Sequence, residues 1–257
     1  MDKLLKSKIP TVLLTFMVIL LIYGSTLAKE KRHNVLYYYN LIPDIKFHEG
    51  LIINPKDRYK LYKVGTQWKT EGEFEPINAT VDIKNGFIEI NDEGGAYLIV
   101  LQVVLFRNAV REPMIGVNIT FKEGLWYGGY SKLSFFRFNP KVEDVTDLVL
   151  PQLSISDFQA NNAKEELFTN LKKVNLPELS NLLTTNSFPY IATLPRYGTM
   201  VKIQFVLDKS RLSKLLKYYS RKLDGNENEY INNFQSSLIQ PASISLQWNK
   251  KESRFIK

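Results

Sequence analysis

The chain has 257 residues, 44% hydrophobic and 23% charged, with a formal net charge of +8; this balance belongs to chains that bury a core, not to disordered ones. It has no cysteine, which excludes disulfides, thiolate nucleophiles, cysteine-based zinc sites and the lipid-accepting cysteine of a bacterial lipoprotein. Without residues 1–28, which hold three lysines and one aspartate, the net charge is +6 and the lysines are scattered among acids, so no basic run tracks a phosphate backbone and nucleic-acid binding has no support.

At the amino terminus Lys3, Lys6 and Lys8 precede an uncharged stretch from Ile9 to Ala28, followed by Lys29-Glu30-Lys31-Arg32. A charged region, an apolar region and then small residues form the order of a secretory signal. Gly24-Ser25-Thr26-Leu27-Ala28 supplies that ending, and cleavage after Ala28 puts Thr26 and Ala28 at the two small-residue positions. An uncleaved anchor is the alternative, because the uncharged stretch approaches the roughly 20 residues that cross a bilayer. Either way the lysines stay on the cytoplasmic side and residues 29–257 are delivered across the membrane as one exported domain. The expected location is therefore periplasmic or secreted, with attachment to the inner membrane through residues 9–28 if the segment is not cleaved.

Val35 to Phe74 mixes short apolar pieces with Pro43, Gly50, Pro55, Gly65 and Gly72 and predicts short strands and loops, with Tyr37-Tyr38-Tyr39 packing on a sheet. From Val81 to Val145 the strand signal strengthens. Val81-Asp82-Ile83 and Phe87-Ile88-Glu89-Ile90 flank Asn85-Gly86, a pair suited to a tight hairpin turn. The nearly unbroken apolar run Ala96–Phe106 predicts a central strand covered on both faces. Met114–Phe121 and Lys132–Phe138 follow as strands, giving an antiparallel meander of about five. Helical spacing appears from Ala163, through Leu167, Phe168, Leu171 and Val174, and in Ser210–Leu223. Between them Val201, Ile203, Phe205 and Leu207 alternate as a strand, as do Ile244, Leu246 and Trp248 near the end. Asp224–Glu229 is a polar loop. The fold class is α+β: mainly antiparallel, sandwich-like meander sheets with a few short helices.

Four pieces resemble a pattern found in uncharacterised exported bacterial proteins: Asn85–Ile90 with Val104-Leu105-Phe106-Arg107 and Ile115-Gly116-Val117; Asp144–Pro151; Leu194–Thr199; and Leu246-Gln247-Trp248-Asn249. The likeness lies in strand and turn spacing over about half of the exported region. It implies an envelope or secreted protein and carries no catalytic signature.

Chemistry is sparsely marked. His33 and His48 are the only histidines, which excludes a three-histidine metal site, and no cofactor is implied. The nucleophile elbow, the phosphate-binding glycine loop and the dinucleotide fingerprint do not occur. Two acid clusters, Asp92-Glu93 and Asp144 with Asp147, could serve an extracytoplasmic hydrolase if a cleft brought two carboxyls about 5–10 Å apart; turn chemistry and capping explain the same residues. The loop Gly124-Leu125-Trp126-Tyr127-Gly128-Gly129-Tyr130 presents Trp126, Tyr127 and Tyr130 in a form suited to stacking on a sugar or peptide, or to packing a hairpin. Arg196, between Pro195 and Tyr197, could clamp a carboxylate, or stand in a turn. The leading expectation is a non-enzymatic protein that binds an envelope partner or ligand through Trp126, Tyr127, Tyr130 and Arg196, with the hydrolase as its competitor.

Overall fold

The computed structural model describes residues 33–46, 52–71, 75–94, 97–123, 130–158, 190–205 and 243–257. The apolar segment 9–28, His48, Trp126, Tyr127, the helical stretches from Ala163 and Ser210, and the 224–229 loop lie outside them. The chain divides into two units, Met1–His33 and Asn34–Lys257, and the second holds the strands and helices that follow. Among the described residues no helix is long and apolar enough to cross a membrane.

The tyrosine run forms a helical turn where a strand was expected. Asn34 Oδ1 accepts from the Tyr37 amide, starting α1, Val35–Tyr39, as an asparagine N-cap does. The turn buries Val35, Tyr38 and Tyr39 on one side and leaves Tyr37 exposed. The small hairpin β1, Ile45–Lys46, and β2, Ile52–Ile53, follows, then α2, Pro55–Arg58, capped by Asn54 and entered through Pro55, a residue that gives up no needed donor in a first helical turn.

The meander is longer than its sequence signal. It runs β3, Leu61–Val64; β4, Gln67–Thr70; β5, Ile77–Asp82; β6, Phe87–Asp92; β7, Tyr97–Arg107; β8, Pro113–Glu123; β9, Tyr130–Phe138; and β10, Val142–Asp144, paired antiparallel in that order. Asn85-Gly86 closes a four-residue connection between β5 and β6, with Asp82 opposite Phe87. Gly86 is doubly required. Its φ is +68°, and a Cβ there would lie 3.0 Å from Leu105 Cβ, so both backbone conformation and close approach to β7 favour glycine.

Strand alternation sorts the sheet into two faces, and both are covered. Ile88, Ile90, Ile99, Leu101, Val103, Ile115, Val117 and Ile119 form one core with Val35, Tyr39, Ile42, Ile53 and Tyr59. Phe87, Val104, Phe106, Met114, Leu133 and Phe135 form another with the second sheet. That sheet comprises β11, Tyr190–Thr193; β12, Met200–Phe205; β13, Ser243–Asn249; and β14, Arg254–Ile256, all antiparallel. The expected strands at Val201 and Ile244 are thus found, with Val201, Ile203, Leu246 and Trp248 buried. Between the sheets α3, Thr146–Val149, and a 3₁₀ turn, Ile155–Phe158, contribute Val149 and Phe158 to the shared core. Gly116 allows this packing: a Cβ would stand 2.8 Å from Phe135 Cε1 and 3.0 Å from Phe106 Cε2.

Candidate functional site

The second sheet reaches the meander through the backbone of β11. In an antiparallel ladder alternate residues turn their N–H and C=O away from the partner strand; those of Ala192 on β11, and the amide of Leu194 just beyond it, point at the meander. Side chains receive them. The Ala192 amide donates to Ser131 Oγ on β9 at 2.9 Å, the Ala192 carbonyl accepts from Asn118 Nδ2 on β8 at 2.8 Å, and the Leu194 amide donates to Gln102 Oε1 on β7 at 3.0 Å. Arg196 then donates to Asp82 on β5 at 3.1 Å. Each two-residue step along 192–196 advances across the meander, so this segment crosses its strands instead of running with them.

The receiving side chains form a buried polar stripe. Thr120 Oγ1 lies 2.7 Å from Ser131 Oγ, and Asn118 Nδ2 also reaches Thr120 Oγ1 at 3.1 Å. Gln102 Nε2 donates to Glu89 Oε2 at 2.8 Å. The Ala192 carbonyl fixes which way the Asn118 amide points, since the reverse orientation would set two acceptors together. Asn118 Oδ1 is left buried without a hydrogen-bond partner. Satisfying a strand edge with side chains meets the requirement that buried backbone polar groups be paired.

Where β11 meets the meander, the meander face that receives β11 and the outward-facing residues of the second sheet form an open crease of about 790 Å³. One wall is meander: Thr80, Glu89 and Gln102, with Phe87 beneath. The other is the second sheet: Thr193, Met200, Lys202 and Gln247. The Leu194–Thr199 turn closes one end, where Gly198 takes φ +81°. Tyr197 is 68% exposed and Met200 44%, so the rim presents apolar surface to solvent.

Of the two expected binding residues that are described, Arg196 lines this crease and Tyr130 does not. Its guanidinium serves an internal carboxylate, pairing with Asp82 while packing over the Tyr197 ring at 5.3 Å. Hydrogen bonds from the Asn85 side chain and backbone, and then Arg196, hold the Asp82 carboxyl below its ordinary range. Tyr130 is elsewhere: its half-buried ring stacks on Phe121 at 5.4 Å and packs against the core of the opposite sheet face.

The two acid clusters sit on β6 and beside β10, with β7, β8 and β9 between them. Asp92 is buried and accepts from Tyr59 Oη at 2.9 Å, from Arg58 at 3.4 Å and from the Gly94 amide at 3.2 Å. Tyr39 Oη in turn donates to the carbonyls of Pro55 and Tyr59. Burial pushes the phenols of both tyrosines well up. This network anchors the α1–α2 segment to the sheet. Glu93 is exposed beside it. Asp144 accepts from the Thr146 amide and hydroxyl, and Asp147 is exposed in the first turn of α3. No group of three or more metal-binding side chains occurs among the described residues.

Sequence reasoning did not find the crease. Gln102 lay inside an apolar run, and Asn118, Thr120 and Ser131 read as ordinary polar strand positions. Asn118 and Thr120 share one face by their i, i+2 spacing, a pattern equally suited to a face that meets water.

No family model matches the chain, and no curated protein matches it. A solved structure to which it is similar is a domain of an uncharacterized protein from Porphyromonas gingivalis W83, at 15% sequence identity and a TM-score of 0.44, over 75% of this chain and 80% of that one.

Proposed function

We propose that this chain is an exported, non-enzymatic protein of the bacterial envelope or secreted space that binds a ligand or partner in the crease between its meander and its four-stranded sheet. The observation that carries the reading is the crease itself, an open groove of about 790 Å³ with charged and hydrogen-bonding side chains on its walls and apolar groups at its rim. The site is built on β-strands and held by buried hydrogen bonds, a form of pre-organisation that lowers the ordering cost of binding. Export rests on the order of residues 1–28. Asp92 and Asp144, one from each candidate acid pair, are engaged in hydrogen bonds that hold local structure, so binding is favoured over hydrolysis.

Two measurements test this. Fractionation with amino-terminal sequencing of the native protein should place it outside the cytoplasm, starting at Lys29 if the segment is cleaved; a wholly cytoplasmic protein would refute export. A nuclear magnetic resonance screen of small polar ligands should move the amides of Thr193, Lys202 and Gln247 before others. Hits that cluster elsewhere would displace the site from the crease.

A further inference from the structure

We propose that the crease takes a short peptide with free ends, its ammonium held by Glu89 and its carboxylate by Lys202, an inference that rests on the crease being the binding site. Four acid–base pairs among the described residues are closed: Arg58–Asp92, Arg196–Asp82, Arg254–Glu252 and Lys257–Asp157. Glu89 and Lys202 line the same groove from opposite walls, and neither has an ion pair among the described residues.

Glu89 is half-buried and its hydrogen-bond donors are neutral amides, Gln102 Nε2 at 2.8 Å and Asn91 Nδ2 at 3.5 Å. Gln102 is itself fixed by the Leu194 amide, so the carboxylate is aimed before any ligand arrives. A partly desolvated anion with neutral donors gains most from a cationic donor, because charge-assisted hydrogen bonds are roughly twice as strong as neutral ones. Lys202 is exposed on β12, cross-strand from Thr193, and presents a single ammonium. The other cation that lines the crease, Arg196, is paired with Asp82. A multiply charged anion such as a phosphate would therefore meet one free positive charge and one negative, whereas a zwitterion meets its complement at each end. In the same crease Thr80, Thr193 and Gln247 offer hydrogen bonds suited to peptide groups, and Met200 and Tyr197 offer apolar cover for side chains.

The test is titration calorimetry at low ionic strength on the purified full chain, using Ala-Ala-Ala, its N-acetyl form and its C-terminal amide. The free tripeptide should bind at least tenfold more tightly than either blocked form. Glu89→Gln, which keeps an acceptor for Gln102, should lose about tenfold for the free peptide and nothing further on acetylation. Lys202→Gln should show the same pattern toward amidation. Equal binding of free and blocked peptides, unchanged affinity in both variants, or no binding at millimolar peptide would each overturn the proposal. Amide shifts separate the levels of failure: blocked peptides that bind equally and move Thr193 and Lys202 leave the crease standing and refute the ligand class, while binding that moves only distant amides refutes both.

Discussion

Replacing Gln102 by leucine removes one of the clamps that hold β11 across the meander without changing side-chain volume much. Gln102 is 7% exposed and accepts from the Leu194 amide at 3.0 Å. Leucine leaves that N–H buried and unpaired, at a cost of about 1–3 kcal/mol, whereas Glu89, half-open to solvent, can replace its lost donor with water. A near-isosteric change adds little cavity cost. With a loss of about 2 kcal/mol and an m-value of about 2 kcal/mol/M, the urea midpoint should fall by about 1 M. The control is Gln204→Leu on the outer face of β12, where the residue is exposed and the change should stay within about 0.5 kcal/mol. Equal stability of Gln102→Leu and wild type, at unchanged m, would show that the clamp contributes nothing and refute this explanation of the crease.

Three further outcomes follow from the same structure. Gly116→Ala should destabilise by about 1–3 kcal/mol in chemical denaturation, because its methyl would overlap the Phe135 and Phe106 rings in a filled core; a neutral result would mean those rings can step aside. Tyr59→Phe should cost about 1.5–3 kcal/mol, the range for hydrogen bonds to charged groups, since it takes a donor from buried Asp92; an unchanged unfolding midpoint would contradict the anchoring role of the network. Asp82, with its Asn85 and Arg196 donors, should titrate below the ordinary aspartate value of about 3.9 when followed by carboxyl resonance. A depressed folded pKa gives stability that is present above the unfolded value and lost as pH falls through the folded one. The stability gap between wild type and Asp82→Asn should therefore close on acidification below about pH 4, and a gap that widens would reverse the assignment.

How much of this was legible in the sequence depends on how far apart the partners lie. The β5–β6 turn was readable because Asn85 and Gly86 act on their own neighbours, and the strands from Phe87 to Phe138 because apolar alternation is local. The Tyr37–Tyr39 segment, expected to pack on a sheet, is a helical turn because the Asn34 cap and the burial of Val35, Tyr38 and Tyr39 set its conformation. The polar stripe was invisible for a different reason. Alternation of Gly116, Asn118 and Thr120 with Ile115, Val117 and Ile119 looks the same whether the polar face meets water or another backbone, and the opposing backbone lies 74 residues away from Asn118 in the chain. The pairing of Arg196 with Asp82 spans 114 residues. Arg196 borders the crease, and its charge is already matched within the protein by Asp82.

The crease and everything inferred from it depend on β11 being held across the meander by side chains, and amide hydrogen exchange at Ala192 and Leu194 measures this directly. Both amides point away from the β12 partner and bond only to Ser131 and Gln102. They should exchange as slowly as amides inside the central β7–β8 ladder, and Leu194 alone should accelerate in Gln102→Leu. Exchange of both at the rate of an open strand edge would mean that β11 is not clamped, and the crease would lose its floor.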